Sequence, residues 1–203
     1  MTEIDNYWTG ILPFDKNFNK FILKLGRFDI DSGPWIAGGS VRKLWQGKDW
    51  DDGDIDVWFR YKEQYLDFCK RMMKKGKCVS VTDNAITFKI RFKFKYITVQ
   101  AISTFSDNIH DLLNKFDFTI CQFATANGNI YATQNAIDDC QKNKITLNPT
   151  RYSSQIDLKR LVKYCEYGFN PDHELVTEGF KFIQTHNSNN FLSGFAAKSQ
   201  LYR

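Results

Sequence analysis

The chain has 203 residues, 42% hydrophobic and 25% charged, with a formal net charge of +5; this is globular composition and excludes a disordered or fibrous chain. That length serves one core, or one core with an appendage, and the modest positive excess favours an anionic partner without identifying nucleic acid. The opening Met-Thr-Glu-Ile-Asp-Asn leads into no apolar run and no stretch reaches the ~20 apolar residues of a bilayer span, so no signal, no membrane association and a cytoplasmic location are expected.

Five cysteines, Cys69, Cys78, Cys121, Cys140 and Cys165, are scattered with no Cys-x-x-Cys pair. Reduced thiols are expected from this, with no disulfide-linked partner and no zinc centre. His110, His173 and His186 lie in polar contexts and read as solvated.

In chain order, Phe14 to Phe28 carries a helical apolar stripe through Phe18, Phe21, Ile22 and Leu25, with Gly26 near its end. Trp35 to Ala37 reads as a short strand ending at Gly38, Val41 to Gln46 as a helix closed by Gly47, and Ile55 to Phe59 as a strand. Tyr61 to Lys75 is a helix stopped by Gly76, with cations in its last turn, where they suit the helix dipole. From Cys78 the period becomes two: Val79 and Val81 precede a turn at Asp83-Asn84. Ile86, Phe88, Ile90, Phe92, Phe94 and Tyr96 then alternate with Thr87, Lys89, Arg91, Lys93 and Lys95 in one long strand. Its basic face reads first as a solvated surface and second as a phosphate-steering one. Asp107 to Lys115 reads as helical, and a strand runs on to Thr125. Asn127-Gly128 is a hairpin turn and Asn129 to Thr133 the returning strand. After Pro149 the pattern is helical, over Ile156 to Tyr167 and Glu174 to Ile183, followed by a loose tail from His186. The organisation is therefore α/β (α+β): a mixed, largely antiparallel sheet flanked by helices over residues 1–150, and a helical segment with a tail over residues 151–203.

The chemistry concentrates between Gly38 and Phe59. Residues two apart in a strand share a face, so Asp54 and Asp56 form a carboxylate pair while Ile55, Val57 and Phe59 face the core. Carboxylate oxygens at this spacing suit a two-magnesium site that neutralises a triphosphate and its attacking oxygen. Gly38 and Gly39 have no side chains to keep phosphates from the backbone, and the helix starting near Ser40 offers free amides. Arg42 adds a charge one turn on. Each piece also has a plain reading: a turn, a solvated edge, a surface helix residue. Their order, strand, Gly-Gly-Ser, helix, Asp-x-Asp strand, points jointly to nucleotidyl transfer. Gly47-Lys48 lacks the spacing of a Walker loop. Asp49, Asp51 and Asp52 read as solvated loop acids.

Ile36-Ala-Gly-Gly-Ser-Val-Arg-Lys-Leu-Trp-Gln-Gly47 followed by Asp54-Ile-Asp56 resembles the head of polymerase-β-type nucleotidyltransferases, in the branch of the class II tRNA CCA-adding enzyme and bacterial poly(A) polymerase. Asp117-Phe-Thr-Ile-Cys with Ala136-Ile-Asp-Asp139, and Asp157-Leu-Lys-Arg160-Leu-Val-Lys163 before Gly168-Phe169, are similar to later segments of that head and to its neck helix. The resemblance runs from about Trp35 to Phe169. It implies magnesium on Asp54 and Asp56, phosphate contacts from Gly38, Gly39 and Ser40, and Asp117 as a third carboxylate or a contact to the nucleotide's sugar. Arg160 and Lys163 would contact phosphate, base or acceptor.

Phe116 stands where the family carries an arginine, Gln100 where a relative can carry another acid, and no Glu-Asp-x-x-Arg follows Phe169. A domain gripping tRNA is not expected in so short a chain. The expected function is transfer of a nucleoside monophosphate from a nucleoside triphosphate such as ATP to an acceptor hydroxyl, foremost an RNA or tRNA 3′ end. The alternatives are transfer to a protein or small molecule, as in toxin or resistance enzymes, and a silent nucleotide- or RNA-binding module. Richness in Lys, Asn, Phe and Ile fits an AT-rich genome such as a viral one.

Overall fold

A computed structural model describes residues 7–11, 15–151 and 157–185. Phe14 and Ile156, the expected first residues of two helices, and the expected loose tail from His186 lie outside the described residues. Eight strands form one sheet: β1 (Tyr7–Ile11), β2 (Trp35–Ala37), β3 (Asp54–Phe59), β4 (Gly76–Val81), β5 (Ala85–Phe92), β6 (Lys95–Phe105), β7 (Phe123–Ala126) and β8 (Asn129–Thr133). Their order is β1-β8-β7-β2-β3-β6-β5-β4. The β3–β6 pair is parallel and the other neighbours are antiparallel. The fold is thus mixed α/β with a mostly antiparallel sheet, as the sequence predicts.

Alternation along β3 divides the sheet into two faces. Ile55, Val57 and Phe59 are fully buried, together with Phe88, Ile90 and Val99 from the neighbouring strands. Helix α1 (Lys16–Leu25) and helix α3 (Lys62–Lys75) cover this side; Phe21 meets Phe92 at 5.1 Å and Phe59 meets Phe68 at 5.2 Å between ring centroids. Asp15 starts α1 by accepting hydrogen bonds from the Asn17 and Phe18 amides, which supplies the cap its orphan N–H groups need. The opposite face of β3 carries Asp54, Asp56 and Trp58.

Helix α2 (Gly39–Trp45) follows β2, and helix α4 (Ile109–Asn114) leads through Phe116 to a short 3-10 helix at Thr119–Cys121. Helix α5 (Gln134–Gln141) then precedes β9 (Lys144–Ile145). Helix α6 (Leu158–Glu166), β10 (Asn170–Pro171) and helix α7 (His173–Thr185) complete the described chain. Across the expected boundary near Thr150, β10 pairs in parallel with β9, and Phe118 meets Tyr164 edge-on at 5.8 Å.

Two local expectations need correction. The long strand from Ile86 to Tyr96 is a hairpin: Lys93 turns with φ 53° and Phe94 is fully exposed at its tip, with Tyr96 61% exposed. Asp51, read as a solvated loop acid, is partly buried and paired with Lys95. The turn at Asn127-Gly128 is as expected, with both residues at positive φ. The five cysteines are free thiols, and none of the helices among the described residues is long and apolar enough to cross a membrane.

Candidate active site

The site starts where β2 ends. Gly38 has φ 91°, a conformation that a side chain would strain, and a Cβ there would stand 3.5 Å from Asp56 Oδ2 and 3.6 Å from the Phe116 ring. Its N–H donates to the Phe123 carbonyl at 2.7 Å, which locks the turn to β7. Around the position of a Cβ on Gly39 there is open space, and no side chain caps the start of α2. The glycine pair thus brings bare backbone beside the acid that follows it in β3.

Asp54 is exposed and Asp56 is half-buried on the same face of β3. Burial, and next the charge of Asp54, push the Asp56 carboxyl up to about 7, with Arg160 and Lys163 pulling the other way. Gln100, opposite Asp56 in β6, donates from Nε2 to Asp54 Oδ2 at 3.0 Å. Where the resemblance allows a further acid, this chain therefore holds an amide that fixes Asp54.

These residues floor a cleft of about 360 Å³, bounded by Gly39, Ser40, Arg42 and Lys43 on the α2 side and by Phe116, Arg160, Lys163 and Tyr164 opposite. Gly38 itself does not line the cleft. Ser40 is buried, and its Oγ has no hydrogen-bond partner among the described residues. Arg42 is also buried: its guanidinium carbon lies 5.2 Å from the Tyr164 ring centroid and 4.7 Å from that of Phe169. Its Nε and Nη1 have no hydrogen-bond partner among the described residues. Arg42 is thus a cation clasped between two aromatic rings at the cleft's edge.

Asp117 is tied to Arg160 of the cleft's wall. Its Oδ1 accepts from the Phe118 amide at 2.9 Å and its Oδ2 from Arg160 Nη1 at 2.8 Å, and it is not among the residues bounding the cleft. Burial raises its carboxyl above the usual range and Arg160 opposes that rise. Among the described residues no group of three or more His, Cys, Asp or Glu is placed to hold an ion, so a third carboxylate is not assembled at the Asp54–Asp56 pair. Asp117 instead orients Arg160, which with Lys163 does reach the cleft. Asp157, which the resemblance groups with Arg160, caps α6 by accepting from the Lys159 and Arg160 amides.

The alternating lysines of the hairpin stand elsewhere: none of Lys89, Arg91, Lys93 and Lys95 borders the cleft. Sequence reasoning missed Trp58, Tyr164 and Lys115 among the residues lining it. Trp58 was findable, since the two-residue period that pairs Asp54 with Asp56 continues to it.

Residues 12–143 match the model of the Gabija anti-defense 2 family protein. The chain belongs to the Gabija anti-defense 2 family. Among solved structures, this family member is similar to the Thermotoga maritima CCA-adding enzyme complexed with tRNA, at 20% identity and a TM-score of 0.59 over 81% of this chain and 43% of that one. It is similar as well to a CCA-adding enzyme in complex with ATP, at 18% identity and a TM-score of 0.66 over 89% of this chain and 48% of the other. A complex with CTP gives 19% identity and a TM-score of 0.58, over 82% and 43%. The likeness shows a polymerase-β-type nucleotidyltransferase fold, and this Gabija anti-defense 2 family chain spans less than half the length of those enzymes. No curated protein sequence matches it.

Proposed function

We propose that this member of the Gabija anti-defense 2 family is a metal-dependent nucleotidyltransferase that moves a nucleoside monophosphate from a nucleoside triphosphate to an acceptor hydroxyl. The observation that carries the reading is the Gly38 turn, placed so that a Cβ added there would stand 3.5 Å from Asp56 Oδ2, in a nucleotidyltransferase fold; it joins a phosphate-accessible backbone at Gly39 to a carboxylate pair in one cleft.

The donor set fits magnesium. Asp54 and Asp56 offer hard oxygens on one face, and the Asp56 carboxyl, raised by burial and next by the charge of Asp54, marks a desolvated acid pair whose charge a divalent cation would offset. When bound, magnesium would neutralise triphosphate charge and acidify the acceptor hydroxyl. The chain's own groups do the rest. Backbone at Gly39 and Ser40 holds the leaving pyrophosphate, while Arg160 and Lys163 bring positive charge from the opposite wall. Asp56 takes the proton of the acceptor hydroxyl at a carboxylate oxygen. The acceptor oxygen then bonds to the α-phosphorus and the bond to the β-phosphate oxygen breaks.

Two acceptors are supported by different observations. The structural likeness to tRNA-processing enzymes favours an RNA 3′ end, reached in the cytoplasm. The family match favours a hydroxyl on a protein or small molecule of an antiviral defence system, modified to disable it. A single assay separates them: α-phosphate-labelled triphosphates and magnesium, incubated with RNA, with tRNA, or with lysate of cells carrying the defence system, beside Asp56→Asn. Label on RNA supports the first acceptor, and label on protein or metabolite the second. Absence of transfer to all of them, with nucleotide still bound, would sink the enzyme reading.

A further inference from the structure

The cleft floor continues past the acids. One strand step beyond Asp56 and its partner Gln100, the same face of β3 and β6 presents Trp58 and Ile102, both half-buried and both bordering the cleft. Phe116 closes the corner, meeting Trp58 edge-on at 5.4 Å. We propose that this corner is a stacking subsite for the nucleobase of the incoming triphosphate, and that it accepts all four bases alike. The proposal rests on the nucleotidyltransferase reading and specifies its substrate.

Position supports it. Trp58 lies roughly 7 Å along the strand from Asp56, two residues at strand rise. An α-phosphate held at the acids thus leaves room for a ribose before the aromatic corner is reached. The cleft's volume of about 360 Å³ lies within the range of small-molecule sites.

The missing polarity sets the selectivity. Reading a base requires donors and acceptors aimed at its edge, and this corner has few left to offer. The amide nitrogen of Gln100 is used on Asp54. The ammonium of Lys115, which borders the same end, is engaged by Asp111 at 2.8 Å, by Ser106 Oγ at 3.0 Å and by the Phe105 carbonyl. The indole nitrogen of Trp58 has no partner among the described residues but is buried, with almost no surface open to the cleft, so the ring offers the cleft carbon rather than a donor. Apolar ring surface holds every base because every base has a π face, and it discriminates poorly among them.

Calorimetric titration of the protein with each of the four triphosphates and with tripolyphosphate, all with magnesium and no acceptor, tests this. The four triphosphates should bind within about threefold of one another and about 10- to 100-fold more tightly than tripolyphosphate, as one stacked base contributes. Trp58→Ala and Ile102→Ala, on separate strands, should bring triphosphate binding toward tripolyphosphate while tripolyphosphate binding stays as in the parent. A tenfold preference for one base, a tripolyphosphate affinity equal to that of the nucleotides, or variants that weaken both ligands in step would each overturn the subsite. So would a Trp58→Ala protein that loses affinity for an RNA oligonucleotide but not for triphosphate, since the stacked base would then be the acceptor's. A protein that binds in the expected pattern yet transfers to nothing keeps the subsite and loses the enzyme reading.

Discussion

The floor of the cleft and the wall above it are built by opposite means. The floor, from β2 through α2 to β3, is one short run of chain in which a strand, a glycine turn and a second strand lie side by side, and it gathers negative charge at Asp54 and Asp56. The wall is assembled from distant segments, the turn at Asp117 and helix α6, and gathers positive charge at Arg160 and Lys163. A local segment can position like charges because the sheet holds the backbone whatever the side chains prefer. Opposite charges on the wall assist in holding α6 in place, as the Arg160–Asp117 pair at 2.8 Å does. The floor thus carries the cost of function and the wall part of the means of tolerating it.

If that division is right, neutralising the floor should separate activity from stability. Asp56→Asn removes one of two facing carboxylates, and transfer should fall on the order of 10³-fold or more, as for loss of a central electrostatic group. Folding stability should hold or rise, because the desolvated charge is gone. Transfer rate and melting temperature measured on the same preparation check it; a variant that melts well below the parent would show that the acids stabilise the fold, and the comparison would fail.

The joint between floor and wall is Arg42, buried between Tyr164 and Phe169. Arg42→Ala empties a large buried volume and removes two cation–ring contacts, so a loss of about 2–4 kcal/mol is expected in denaturant unfolding. Arg42→Lys should recover only part of it, since an ammonium does not stack as a planar guanidinium does. Full recovery by lysine would mean that charge alone matters there. Within the wall, Asp117→Asn keeps the shape of the side chain but breaks the ion pair, at an expected cost of about 1–2 kcal/mol. The partly exposed Arg160 keeps that figure low. Because Arg160 would drift from the cleft, KM for the triphosphate should rise more than kcat falls; equal loss in both would place Asp117 in the chemistry itself.

The same division decides what could be read from the chain alone. The β2–α2–β3 unit was legible because period-two alternation and a glycine pair are local signals. The positions of Arg42 and Asp117 were not, since a charge one turn into a helix looks solvent-facing until α6 is laid over it, and the pairing of Asp117 with Arg160 joins residues 43 apart in the chain. Trp58 could have been extracted by carrying the alternation two residues further. The hairpin at Lys93-Phe94 was invisible for a different reason: its turn has no glycine or asparagine, and Phe94 and Tyr96 extend the alternation of β5 in sequence while standing exposed in space. Strand β1 gave no signal, being a five-residue edge strand whose pairing with β8 lies over a hundred residues away.

The smallest expected effect is the most direct probe of the floor. Asp56 in the fold holds its proton to about pH 7, whereas an unfolded aspartate releases it near pH 4. Between those values the native state binds more protons than the unfolded one. Stability from this group is therefore full at acid pH and is lost as pH rises through 7. Magnesium acts with the opposite sign, because it binds the deprotonated pair and gains as the proton leaves. Saturating magnesium should consequently raise the melting temperature by a few degrees more at pH 8 than at pH 6, about the 2–4 °C that ~1 kcal/mol produces in a chain of this size. Asp56→Asn should erase both the acid stabilisation and the pH dependence of the magnesium increment. An increment that is the same at both pH values, or that survives in the variant, would place the ion away from Asp56, and the two like charges of the floor would then need another source of compensation, with Arg160 and Lys163 across the cleft the nearest candidates.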